Sequence, residues 1–218
     1  MKRRHSEGCS SGALSGPEIL SVLGKELIVM PPLYSRKALE HVNCIDLRLG
    51  HEFIRMRKGE LATLDFGGDL NRALRRFYEV MYVGLGDDLI LHPGELVLGS
   101  TLEYLVLPLD LMAYIIGRSS WGRLGLVIAT ATVINPGFKG CPTLELINDG
   151  NIPIQLFPGA PIPIAQISLH RVGPGQSAYA GRYSERGWVG ATGPGYSRIH
   201  QDPTFSKWIK YRQQRRKP

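Results

Sequence analysis

The sequence predicts a mostly β fold, a sandwich or barrel of short strands preceded by one short helix. Three observations carry this. From Asp88 onward, apolar and β-branched runs recur every ~8–12 residues between Pro/Gly turns. The 218 residues include 26 Gly and 15 Pro, about a fifth of the chain, which favours many turns. Near the N-terminus, Ser15-Gly16-Pro17-Glu18 forms a capping-box pattern, with Ile19, Leu20, Val22 and Leu23 following at helical spacing and Gly24 ending the helix.

Taken in order, residues 1–13 are charged, Ser/Gly-rich and poor in apolar groups, and are expected to be disordered. After the helix, Leu27–Met30 reads as a short strand before Pro31-Pro32. Cys44–Gly50 alternates, and His51–Met56 continues it as one strand with a single buried face. Residues 57–86 read as an excursion from the sheet, with a helical piece around Leu70–Val80. Further strands are expected at Leu89–Leu91, Leu96–Thr101, Leu105–Pro108, Met112–Ile116, Val127–Ala131, Thr143–Asn148, Ile154–Phe157 and Ile162–Leu169. Pro153, Pro158, Pro161 and Pro163 mark the later strands as short or at an edge.

Beyond Arg171 the apolar periodicity stops. Residues 173–200 hold seven Gly together with Arg182, Arg186, Arg198, Tyr179, Tyr183, Trp188 and Tyr196. Cations and aromatics on a Gly-rich segment suit a flap that closes on a ligand. The reading is one domain over residues 14–204 and a basic tail over 205–218.

The net charge of +7 resides in the ends of the chain, because residues 205–218 alone carry six Lys/Arg and no acid. A solubilising charge run and an electrostatic tether to a polyanion such as nucleic acid both fit it. Cys9, Cys44 and Cys141 are far apart and odd in number, which argues against a disulfide framework and for a reducing cytoplasm. No apolar run is long enough to span a membrane, and Lys2, Arg3 and Arg4 precede no apolar signal core.

Several standard sites are missing. The chain has no G-x-S-x-G elbow and no G-x-x-x-x-G-K-[ST] loop. His5-Ser6-Glu7 matches half of the zinc nucleobase-deaminase pattern, but no P-C-x-x-C follows, so no zinc is expected. Two features remain. Arg118, Ser119, Ser120 and Arg123 lie within six residues. They fit either a polar turn with exposed ion pairs or a phosphate cradle, in which hydroxyls, backbone N–H groups and an Arg fork meet phosphate oxygens. Glu145 sits between Leu144 and Leu146 in strand alternation. It is either an outward, solvated residue or, facing a closed pocket, a carboxyl of raised pKa that shuttles protons.

These motifs carry a resemblance. Gly117-Arg118-Ser119-Ser120 with Arg123-Leu124-Gly125, Ile134-Asn135-Pro136-Gly137-Phe138-Lys139-Gly140 and Thr143-Leu144-Glu145-Leu146 resemble the dCTP deaminase branch of the trimeric dUTPase superfamily. Ile45–Gly50, Leu91–Glu95, Phe157–Ala160 and Gly193–Ile199 match in the same order, so the likeness spans about residues 15–203.

The resemblance implies a distorted β-barrel or jelly-roll, a homotrimer with sites between subunits, and deamination of dCTP to dUTP and ammonia. It implies Mg²⁺ carried on the triphosphate and no zinc. By motif match Glu145 is the general acid/base, and Ser119, Arg123 and the Ala131 carbonyl position the water and the exocyclic amine. Arg118 and Ser120 meet phosphates, Asn135 a sugar hydroxyl, and Tyr179 closes from the flap. Asn135 stands where the family usually carries Asp, which weakens a diphosphate-hydrolysing reading. In the flap, Gly187 and Ala191 replace a usual Lys and Gln, and Arg186 offers a cation one position away. A dUTPase-like or bifunctional dUMP-forming enzyme and a nucleotide-binding regulatory trimer are the alternatives.

Overall fold

The computed structural model describes residues 12–31, 36–57, 77–84, 86–175, 177–178 and 214. The expectations for the N-terminal residues 1–11, the helical piece before Phe77, most of the flap and the basic tail fall outside them. Described strands greatly outnumber described helices, as the turn spacing predicts.

Helix α1 (Gly16–Val22) forms where the capping signal places it, with the Glu18 carboxylate accepting from the Ser15 N–H at 2.8 Å and the Ser15 hydroxyl at 2.7 Å. Its inner face buries Ile19 and Val22. The strand ahead of Pro31 is β1 (Ile28–Met30), and a second helical turn, α2 (Arg36–Leu39), follows.

The expected single strand over Cys44–Met56 does not form. Cys44–Met56 is two strands, β2 (Cys44–Arg48) and β3 (Glu52–Met56), which belong to different sheets. The chain changes sheet at Gly50, whose N–H donates to the Ser100 carbonyl at 2.8 Å. A Cβ there would lie 3.0–3.1 Å from Ser100 and Thr101 atoms, so a larger residue would need these neighbours to give by a few tenths of an ångström. A second correction falls at Tyr78–Val80. These residues open a strand, β4 (Tyr78–Tyr82), because β3 offers a complete antiparallel partner and cross-strand pairing overrides the weak helical pattern.

The remaining strands are β5 (Leu89–Leu91), β6 (Leu96–Ser100), β7 (Tyr104–Val106), β8 (Leu111–Gly117), β9 (Leu126–Ile128), β10 (Val133–Ile134), β11 (Lys139–Gly140), β12 (Thr143–Asn148), β13 (Ile154–Leu156) and β14 (Pro163–Arg171). They form four sheets, ordered β1-β7-β11, β10-β8-β14-β2, β4-β3-β6-β12-β9 and β13-β5. Among the described residues these do not close into the expected barrel, since each sheet keeps two edge strands. Nor is β14 short or at an edge: nine residues long, it runs between β8 and β2. Pro163 is tolerated as its first residue, where it takes no ladder donor away.

One core lies between the sheets. Phe53, Leu47, Leu105, Leu111, Leu144 and Leu146 are all fully buried. Each such side chain contributes on the order of 1.5–3 kcal/mol through burial. No helix among the described residues is long and apolar enough to cross a membrane.

Candidate active site

The Arg/Ser cluster follows the last residue of β8. It is one helical turn, α3 (Ser119–Gly122), closed by hydrogen bonds from Trp121 N–H to the Arg118 carbonyl (3.1 Å) and from Arg123 N–H to the Ser119 carbonyl (3.0 Å). Two anchors fix it. Trp121 donates its indole N–H to the Pro163 carbonyl at 2.9 Å, tying the turn to β14. At the other end Gly125 adopts φ +95°, and a Cβ there would lie 2.8 Å from Gly150 backbone atoms. Ser119, Ser120 and Arg123 are left exposed. Among the described residues, Arg123 has no ion-pair partner.

Arg118 behaves differently. Its Nη1 donates to Asp46 Oδ1 at 2.5 Å and to Gln166 Oε1 at 3.4 Å. Asp46 lies on β2 and Gln166 on β14, directly opposite each other in the ladder. Sequence reasoning missed both acceptors. Alternation already put Asp46 on the face opposite Ile45 and Leu47, but nothing local pointed to a cation 72 residues away.

Glu145 occupies the middle of β12. Leu144 and Leu146 are fully buried and Glu145 points to the opposite face, as strand alternation requires. Register gives that face its character: Glu145 pairs with Leu98, Leu98 with Ile54, and Ile54 with Val80. A carboxylate thus ends an apolar cross-strand row. It is half-buried and has no ion-pair partner among the described residues.

The backbone around it is closely held. Ala129 N–H donates to the Glu145 carbonyl at 2.9 Å, and the Glu145 N–H donates to Thr130 Oγ1 at 2.8 Å. Ala131, the next residue, is exposed. Asn135 is exposed just after β10, in a turn closed by Phe138 N–H to its carbonyl at 3.2 Å. Tyr179 and Arg186 lie outside the described residues.

Among the described residues are two thiols, Cys44 and Cys141. Burial raises Cys44, with Asp46 adding to the shift and Arg118 opposing it. Burial, with Glu103 and Glu52, pushes Cys141 up to about 11. Neither is a ready thiolate. Elsewhere in the fold, fully buried Glu103 accepts from Arg48 Nε and Arg48 N–H, each at 2.7 Å.

Within one chain, then, the Ala129–Thr130 backbone is held against Glu145, while Ser119, Ser120 and Arg123 line an exposed turn and Arg118 is held on the neighbouring sheet. Fold and residues define a class: a β protein with an exposed Arg/Ser turn and a strand carboxylate on an apolar face. The chain belongs to the dCTP deaminase-like family, whose model matches residues 13–172. It is 36% identical over 196 residues to a dCTP deaminase of Natronomonas pharaonis, covering 88% of this chain and 97% of that one. It is 35% identical over 191 residues to a dUMP-forming dCTP deaminase of Dictyoglomus thermophilum, covering 87% and 95%. Its fold is similar to the crystal structure of 2'-deoxycytidine 5'-triphosphate deaminase from Agrobacterium tumefaciens, with TM-score 0.54 and 24% identity over 75% of this chain and 49% of that one.

Proposed function

We propose that the protein deaminates dCTP hydrolytically, dCTP + H₂O giving dUTP + NH₃. The observation that carries this is Glu145, a half-buried carboxylate on an apolar sheet face without an ion-pair partner among the described residues. Family membership and the curated relatives that act on dCTP supply the substrate.

In this reading Glu145 takes a proton from water and passes it to N3 of cytosine as hydroxide attacks C4. The proton of the new C4 hydroxyl then passes through Glu145 to the amino group, and the tetrahedral adduct collapses to the C4 carbonyl and expels ammonia. Ser119, Arg123 and the Ala131 carbonyl orient the water and the amine. Arg118 and Ser120 hold phosphates, and Asn135 meets the sugar. Tyr179 and Arg186 would close over them from the flap. A fixed general base supplies about 10²–10⁴ in rate, and orientation adds to it.

Mg²⁺ would enter on the triphosphate. The described residues include no group of three or more His, Cys, Asp or Glu arranged to hold a metal ion, whereas the exposed Arg/Ser turn suits phosphate oxygens. There the ion would neutralise charge along the phosphates.

We further read the working form as a homotrimer with sites between subunits. Tyr114, Ile116 and Val133 are exposed on one large sheet and Val80, Leu96 and Val127 on the other. Partner chains covering these faces would shield Glu145 from bulk water. A cytoplasmic setting fits the free Cys44 and Cys141 and a nucleotide substrate.

Incubation of purified protein with dCTP and Mg²⁺, with chromatography of the products, tests the reading. dUTP supports it. dUMP with diphosphate would make the enzyme bifunctional, and bound but unchanged dCTP would leave a nucleotide-binding regulator.

A further inference from the structure

We propose that Asp46 is a positioning residue that acts through Arg118, setting the guanidinium in the orientation in which it meets a nucleotide phosphate. The proposal rests on the dCTP-binding reading above and adds a residue to it.

Both acceptors of Arg118 among the described residues, Asp46 Oδ1 at 2.5 Å and Gln166 Oε1 at 3.4 Å, are served by one nitrogen, Nη1. Among the described residues, Nε and Nη2 have no acceptor. Their N–H groups form the edge of a planar fork, the geometry that meets a phosphate through two parallel hydrogen bonds. The acceptors themselves are rigidly placed. Asp46 and Gln166 are opposed in the β2–β14 ladder, and Gln166 is in turn opposed to Ile116 on β8, two residues before Arg118. The Asp46 side chain is 13% exposed, against 37% for Arg118. The carboxylate therefore lies deeper than the cation and pins it from the protein side, leaving the outer edge of the guanidinium toward solvent.

Two effects compete. Asp46 cancels part of the positive charge that draws a triphosphate, which weakens binding. It also removes the rotamer freedom of a long side chain, which strengthens binding by lowering the entropy of ordering it. Because the pair is partly buried and one edge of the fork is left free, orientation dominates. The sign of the mutational effect decides between the two.

The test compares wild type, Asp46→Asn, Arg118→Lys and the double variant in dCTP turnover and in calorimetric binding of dCTP and deoxycytidine. Asp46→Asn is expected to raise KM for dCTP about tenfold, with kcat changed less than about twofold. Deoxycytidine binding stays unchanged, because it has no phosphate for Arg118 to meet. The double variant loses no more than Arg118→Lys alone, since both remove one interaction. An unchanged or lowered KM, an equal loss for deoxycytidine, or additive losses would overturn the proposal. If Asp46→Asn does not fold, Asp46→Glu takes its place. It keeps the ion pair but displaces it by a methylene, and the same selective loss for dCTP is expected. A wild-type chain that binds no dCTP sinks the underlying reading, and the proposal with it, before any variant is made.

Discussion

Thr130 Oγ1 accepts the Glu145 N–H at 2.8 Å and donates to the Thr143 carbonyl at 3.2 Å, so one hydroxyl ties together the backbone on either side of Leu144. Strand β9 ends at Ile128, and past it the hydroxyl does the work of a missing ladder partner. Thr130→Val keeps the shape and leaves the Glu145 N–H without its acceptor. It is expected to cost about 1–3 kcal/mol of stability and to lower kcat by shifting Glu145 against its substrate. Thr130→Ser retains the hydroxyl and stays near wild type. Urea unfolding and steady-state kinetics on the two variants check this. Equal behaviour of Val and Ser would show that the hydroxyl is idle.

Glu145→Gln preserves side-chain shape and removes the proton acceptor. Deamination should fall about 10²–10⁴-fold, while dCTP binding, which the proposed reading assigns to Arg118 and Ser120, should change little. Calorimetry and product chromatography separate these effects. Normal turnover by the Gln variant would remove Glu145 from the chemistry.

How far the chain could be read in advance depended on the range of the interaction. The bounds of Thr143–Asn148 and the outward direction of Glu145 follow from two-residue alternation, and β12 shows both. The helix at Gly16–Val22 follows from its cap. The break at Gly50 was hidden because alternation continues on both sides of it. The glycine sits at a close approach to Ser100 that only the folded chain makes. Strand β4 was hidden because its partner β3 lies across residues with no clear pattern of their own. The Arg/Ser turn was legible as a turn. The Asp46–Arg118 pair was not, because its members meet only when β2 and β8 flank β14.

Gly125 offers a backbone test of the same turn. At φ +95° an Ala side chain would incur strain of about 1–3 kcal/mol. Its Cβ would also meet Gly150 backbone atoms at 2.8 Å. Gly125→Ala should therefore lower the midpoint of thermal unfolding. Any folded fraction should show raised KM for dCTP, because Arg123 lies two residues upstream. An unfolding midpoint equal to wild type would refute the strained-turn account.

Glu103 predicts a pH dependence of stability. Burial raises its pKa above 4.5 and outweighs the lowering by the Arg48 hydrogen bonds and charge. A raised folded-state pKa means that the native state binds the proton more tightly than the unfolded chain does. The corresponding stability is fully present below the unfolded value and is lost as pH rises through the folded one. Glu103→Gln cannot ionise, so the stability gap between wild type and variant should shrink, or move in the variant's favour, as pH rises from 4.5. Denaturant titrations across the acid range measure it. A gap that widens with pH would show that the Arg48 pairing wins over burial.

Cys141 gives the last test, at alkaline pH. Its pKa, pushed up to about 11 from 9.0, keeps the thiol protonated at pH 8. Only the thiolate is alkylated, so iodoacetamide should modify Cys141 roughly a hundredfold more slowly in the native protein than in urea. Peptide mass spectrometry of timed samples reads the rate at this residue. The linked stability follows the same sign as for Glu103. The contribution is present below 9.0 and lost as pH rises through about 11. Against Cys141→Ala, whose residue does not titrate, wild type should lose relative stability over that window alone. Alkylation of native Cys141 at the unfolded rate, with no such alkaline loss, would mean that the thiol is solvated and that Glu52 and Glu103 do not act on it.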